Sequence, residues 1–175
     1  LYQLEYEVDP VDGTADENRG RTLKQRNSFV GLKSSYGTLF LGKHDTALKK
    51  SQAKIDLFND LAGDITNVFQ GENRMKDFVG FTTKTSEKGF SATLNAIKGS
   101  GELEKNKIGD YLSYSLNYKR NNFYAAIAID SEAKGYDSVR YSIQIPKDKY
   151  QFGLIYQESQ EISTNKTEDG FAVSG

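Results

Sequence analysis

Between Tyr111 and Tyr118 the chain reads YLSYSLNY, and this two-residue rhythm, which recurs in segment after segment, constrains the fold more than any other feature. Leu112, Tyr114, Leu116 and Tyr118 fall in one phase, and Ser113, Ser115 and Asn117 in the other. Successive side chains of an extended chain point to opposite faces, so the pattern predicts a strand with one apolar and one polar face. A sheet of such strands has two homes. Its apolar face either covers a core, or faces lipid while the polar face lines a water-filled channel.

Charge excludes some functions. The 175 residues carry 23 Lys and Arg against 24 Asp and Glu, a near balance that gives no support to a nucleic-acid partner. Without cysteine the chain has no disulfide scaffold, thiolate metal site or cysteine nucleophile. Eleven Tyr and ten Phe, with 16 Gly and 2 Pro, suit aromatic-girdled strands in a membrane as well as β proteins in general. No stretch approaches the roughly 18 apolar residues of a membrane helix. The mean hydropathy of −0.65 does not exclude a membrane barrel, whose lumen face and loops are polar. The chain opens in mid-pattern with LYQLEYEV and stops at FAVSG, as the middle of a longer sequence would.

Alternation and turn residues predict strands near 1–8, 22–34, 37–45, 76–85, 89–98, 110–120, 122–131, 137–146 and 149–159, with a tenth starting at 170. Short turns at Ser34–Gly37, Glu87–Gly89, Asn121–Asn122 and Pro146–Lys149 alternate with longer polar loops at Asp9–Arg21, Gly99–Asp110, Ser131–Asp137 and Ser159–Gly170. Tight turns join antiparallel neighbours. Sorting short turns to one end and long loops to the other is a habit of membrane barrels, for which a soluble sandwich has no reason.

Thr46–Asn73 breaks the rhythm and is too long for an ordinary connection. Within it Leu57, Phe58, Leu61 and Ile65 follow helical spacing, and Asp56, Asp60 and Asp64 recur at every fourth residue. The expected arrangement is one or two helical turns, limited by Gly63, with an apolar face against a wall and carboxylates on the other side. The plainer reading of the same pattern is an amphipathic surface turn.

The runs KQRNSFVGLKSSYGTLFLGKHDT (Lys24–Thr46), IDLFNDLAGD (Ile55–Asp64) and ENRMKDFVGF (Glu72–Phe81) resemble the trimeric general porins of Gram-negative outer membranes. In that family an R-x-x-F-x-G-L-K strand, a tight turn and a G-x-x-x-x-G-[RK] strand precede a long loop that folds into the barrel, and the next strand opens with arginine. The likeness is best over Arg26–Phe81. It implies a sixteen-stranded antiparallel transmembrane β-barrel, of which residues 1–175 would be a single partial barrel domain with nine or ten strands, and 46–73 the inward constriction loop. It further implies a homotrimer in contact with outer-membrane lipid and lipopolysaccharide, passing ions and small hydrophilic solutes without a cofactor.

Carried over residue by residue, the resemblance puts Arg26 and Arg74 on the basic wall of the pore. Lys24, which shares strand parity with Arg26, extends that wall. Asp56, Asp60 and Asp64 take the place of the acidic loop, although the family's proline-containing turn is missing. Lys43 has the parity of outward-facing Leu39 and Leu41, which places it at a subunit interface rather than in the pore. The principal alternative is a soluble or surface β-sandwich that binds a partner through its long loops.

Enzyme chemistry finds little support. His44 and Asp45 are strand neighbours, so their side chains diverge and cannot form the acid–histidine pair of a triad. No nucleophile elbow, P-loop or dinucleotide-binding glycine pattern is present. The fourfold aspartate spacing is not that of a calcium loop, whose ligands sit two apart, and no metal site is expected. Asn165, Lys166 and Thr167 fit a glycosylation sequon that arises readily by chance.

Overall fold

The computed structural model describes residues 1–8, 23–58, 61–99, 105–147 and 149–175. Ten strands follow one another across a single antiparallel sheet in sequence order. They are β1 (Tyr2–Val8), β2 (Leu23–Lys33), β3 (Gly37–Asp45), β4 (Arg74–Thr83), β5 (Phe90–Lys98), β6 (Ile108–Arg120), β7 (Phe123–Ala133), β8 (Tyr136–Lys147), β9 (Tyr150–Glu161) and β10 (Thr167–Ser174). Every expected strand is present, and the tenth starts at Thr167, three residues earlier than its pattern suggested.

Register explains why the alternation is so clean. Leu39, Phe81, Leu94, Tyr114, Ile129 and Val139 lie directly opposite one another across β3–β8 and form one apolar row. A second row runs through Leu116, Ile127, Tyr141, Tyr156 and Phe171. These rows are exposed: Leu94 is 55% accessible, Leu116 51% and Phe171 73%. The opposite face is covered, and it is polar. Asn95, Ser113, Asp130, Ser138, Arg140, Ser142, Gln157 and Ser159 are all buried there. This reverses the polarity of a water-soluble sheet. A sandwich would place a second sheet over the apolar rows, and among the described residues nothing covers them.

What covers the polar face is the segment between β3 and β4. It contains the helix α1 (Ala47–Ser51) and a 3₁₀ turn, Ile65–Asn67. Among the described residues of 56–64, the helical spacing is not realised as a helix. Asp56 instead turns its carboxylate onto the Phe58 amide at 2.9 Å, an Asx turn that competes with helix formation. Thr46 caps α1 through its hydroxyl, which accepts from the Lys49 amide at 3.2 Å.

A second correction concerns the connection at Ser131–Asp137, expected to be a longer loop. β7 and β8 pair through Ala133 and Tyr136, so only Lys134 and Gly135 form the turn, both at positive φ. The extra residues are absorbed by a register shift after Asp130.

On the inner face of β2–β6, Phe40, Phe78, Ile97 and Tyr111 form a compact cluster with Phe29 and Met75 against it. Gly80 makes it possible: a Cβ there would lie 2.4 Å from the Phe40 ring, so only glycine lets the ring lie on the strand. His44 stacks on this cluster, its ring 4.7 Å from that of Phe29.

Leu94→Arg puts a charge in the middle of the exposed apolar rows. In lipid vesicles this replacement is expected to cost about 2–4 kcal/mol of folding stability in a denaturant titration. A loss within about 0.5 kcal/mol would mean that the face meets water.

Candidate functional site

The wall side chains of β5–β9 end in short hydrogen-bonding groups, and α1 sits on them. The Asn95 side-chain oxygen accepts the Ala47 amide at 2.8 Å, and the Ser113 hydroxyl accepts the Leu48 amide at 3.2 Å. These are amides of the first helical turn that have no partner within the helix. Thr46 donates through its hydroxyl to Asp130 at 3.4 Å. At the other end, the Tyr124 hydroxyl donates to the Ser51 carbonyl at 3.0 Å. A five-residue helix is too short to stand alone in water, so its ends are held by the sheet.

Arg140 of β8 is the largest fully buried side chain among the described residues, at 0% accessibility. Its Nε donates to Gln157 Oε1 at 2.6 Å, and Nη1 donates to Glu72 Oε1 at 2.6 Å. Longer contacts reach the carbonyls of Leu48 at 3.5 Å and Gln70 at 3.4 Å. Gln157 adds its own donation to the Gln70 carbonyl at 2.7 Å. Burial pushes the Glu72 carboxyl above its usual range, and the neighbouring guanidinium of Arg140 pulls the other way.

Farther along the loop, apolar knobs sit over wall glycines. A Cβ at Gly153 would lie 2.6 Å from Ile55, and one at Gly170 would lie 3.0 Å from the Phe69 ring. Ile55, Ile65 and Phe69 pack there with Ile155. At the loop's exit Gly71 has φ of +90°, and a Cβ would lie 2.5 Å from Leu48, so both backbone and space require glycine.

Among the described residues, those singled out from sequence fall into four groups. Arg26 and Lys24 meet acids on β1: Arg26 Nε lies 2.8 Å from Glu5 and Nη1 3.4 Å from Glu7, and Lys24 lies 3.6 Å from Glu7. Arg74 stands at the loop's root, with Nε 3.0 Å from Asp45 and 3.1 Å from the Asn27 side-chain oxygen. Lys49 of α1 reaches the same Asp45 carboxylate at 3.5 Å. Asp56 and Asp64 both turn onto loop amides, Asp56 also contacting the Ile65 amide at 3.5 Å and Asp64 the Thr66 amide at 2.7 Å. Asp60 lies outside the described residues. Lys43 pairs opposite Ser28 and donates to the Gln25 carbonyl at 2.6 Å.

Sequence reasoning missed Arg140, Glu72, Gln157, Asn95 and Ser113, which hold the loop, and Glu5, Glu7 and Asp45, which pair with Arg26, Lys24 and Arg74. Arg140 had a signal: it is the one long cation in a phase otherwise read as Ser138, Ser142 and Gln144. His44 and Asp45 behave as their parity requires. The His44 ring joins the aromatic cluster, while the Asp45 carboxylate serves Arg74, Lys49 and Asn27.

A meander of antiparallel strands with an apolar outer surface, and a polar inner one carrying a folded-in loop, is the construction of a membrane channel wall. The profile of the Gram-negative porins matches residues 2–175, nearly the whole chain, and the protein belongs to that family. Its place is therefore the outer membrane of a Gram-negative bacterium, in a family of channels rather than enzymes. A comparison with curated proteins finds no match.

Gly153→Val should push Ile55 off the wall. The expected outcome is faster limited proteolysis within residues 52–70 at unchanged strand content by circular dichroism. An unaltered cleavage rate would show that Ile55 does not hold the loop in place.

Proposed function

We propose that the chain forms part of the wall, and the constriction, of a general diffusion channel for ions and small hydrophilic solutes. The observation that carries this reading is the fastening of the 46–73 segment to the polar face of the sheet, through Arg140, Asn95 and Ser113. A loop held on the water-bearing side of a membrane sheet narrows the aqueous path.

On this reading the sheet belongs to a closed barrel of sixteen strands. β1 and β10 each have one paired neighbour among the described strands, and an unpaired strand edge in hydrocarbon leaves backbone groups unsatisfied at several kcal/mol each. Three such barrels assemble, with the outward Lys43 at the subunit contact and lipid and lipopolysaccharide around the trimer. Arg26, Lys24 and Arg74 then supply the basic side of the pore, and Asp56, Asp60 and Asp64 the acidic side. Pairing with Glu5 and Glu7 leaves Arg26 and Lys24 partly open to water, while the Arg74–Asp45 pair is more covered, its side chains 19% and 15% accessible, and acts on the lumen less directly. Opposed charges across a narrow gap orient water, which disfavours large apolar solutes unable to replace it.

Planar-bilayer recordings test this. The native protein should open in groups of three steps, and a silent bilayer from folded protein would refute the channel. Replacing Asp56, Asp60 and Asp64 together with asparagine should lower the cation-to-anion permeability ratio. A unit charge about 10 Å from the ion path in water is worth about 0.4 kcal/mol, so each aspartate that lines the path contributes a factor of about two. Arg26→Ala with Arg74→Ala should raise conductance and shift selectivity toward cations. An unchanged reversal potential in both sets would remove these residues from the constriction.

A further inference from the structure

We propose that Arg140 is a positioning residue that sets how far the loop stands into the channel, and that its charge takes no part in ion selection. The proposal rests on the reading of the loop as the constriction.

Arg140 has two properties that a pore-lining cation lacks. Its side chain is wholly enclosed, at 0% accessibility, with Glu72 at 4%, so neither charge faces an open lumen. Its donors are also committed to the loop and to the wall beside it. One guanidinium touches the outgoing limb at the Leu48 carbonyl and the returning limb at Gln70 and Glu72. Nε is occupied by Gln157, which itself donates to Gln70. Two limbs more than 20 residues apart in sequence are thus joined on one planar fork. The rigid, multidentate geometry is what arginine offers and lysine does not.

Burying an ion pair is costly, and breaking one by removing a single partner is costlier still, because the other charge is left unpaired. The two charges therefore act as a unit. If they were pore charges, removing the cation and removing the anion would move ion selectivity in opposite directions. If they form a clasp, both removals loosen the loop in the same way.

The chain has no cysteine, so Leu57→Cys introduces a unique thiol on an exposed position of the loop. A nitroxide attached there, in the full-length protein in lipid, reports loop motion without requiring conduction. The parent should give a broad, motionally restricted spectrum. Arg140→Met, Arg140→Lys and Glu72→Gln should each sharpen it. Arg140→Met combined with Glu72→Met should recover part of the breadth, because no unpaired charge remains. In bilayers the three single variants should gain open-channel noise and substates, with the reversal potential unmoved.

Spectra of Arg140→Met and Glu72→Gln as broad as the parent's would overturn the clasp, as would opposite shifts of the reversal potential. Sharpened spectra with an unaltered conductance would leave the clasp standing and refute the constriction reading. Should Arg140→Met fail to fold, Glu72→Gln and the double variant decide the matter by the same readout.

Discussion

Hydrocarbon offers no hydrogen bonds, and the protein is organised around that constraint. A sheet that meets lipid must satisfy its backbone between strands and present apolar side chains outward. The period of two then forces the alternate residues inward, whatever they are. Beside the aromatic cluster they are largely serines, asparagines, glutamines, an aspartate and an arginine, and these need partners of their own. The loop between β3 and β4 provides some of them. Its first helical amides meet Asn95 and Ser113, its threonine cap meets Asp130, and its buried Glu72 meets Arg140. Outer apolarity and inner loop docking are therefore two consequences of a single alternation.

The docking divides between two kinds of contact. The loop's root is held by directional bonds, which fix its angle, while the stretch from Ile55 to Phe69 is held by apolar packing over two wall glycines. Directional groups tolerate little displacement. Packing over smooth glycine patches tolerates more. The charges on β1, β2 and at the loop's root pair with one another, apart from the sheltered contacts of Arg140 and Glu72.

Most of the strand plan was legible in the sequence, because alternation and turn residues are local signals. The misreadings are local too. At 131–137 the polar composition suggested a loop, but a register shift and two positive-φ residues close a tight hairpin. Between Asp56 and Asp64 the helical spacing was present, but these two aspartates take the backbone amides at hand. The site was less legible. Arg26, Arg74 and the inward loop came from resemblance to a family, whereas Arg140 and Glu72 are 68 residues apart, and only the folded register brings them together. The phase of Arg140 among serines marks it in the sequence, but nothing local marks Glu72 as its partner. Gly153 and Gly170 mark the apolar contacts instead, since a missing side chain on a strand often means that something else lies there, here Ile55 and Phe69.

On the proposed reading the loop, seated on the polar face of the sheet, narrows an aqueous path. Liposome swelling with a graded series of neutral sugars tests it most directly, comparing the native protein with one in which residues 53–68 are replaced by a short glycine-serine link. The account predicts that the replaced protein still inserts and admits sugars that the native one excludes. An identical size limit for the two proteins would contradict it, because the loop would then lie outside the solute path.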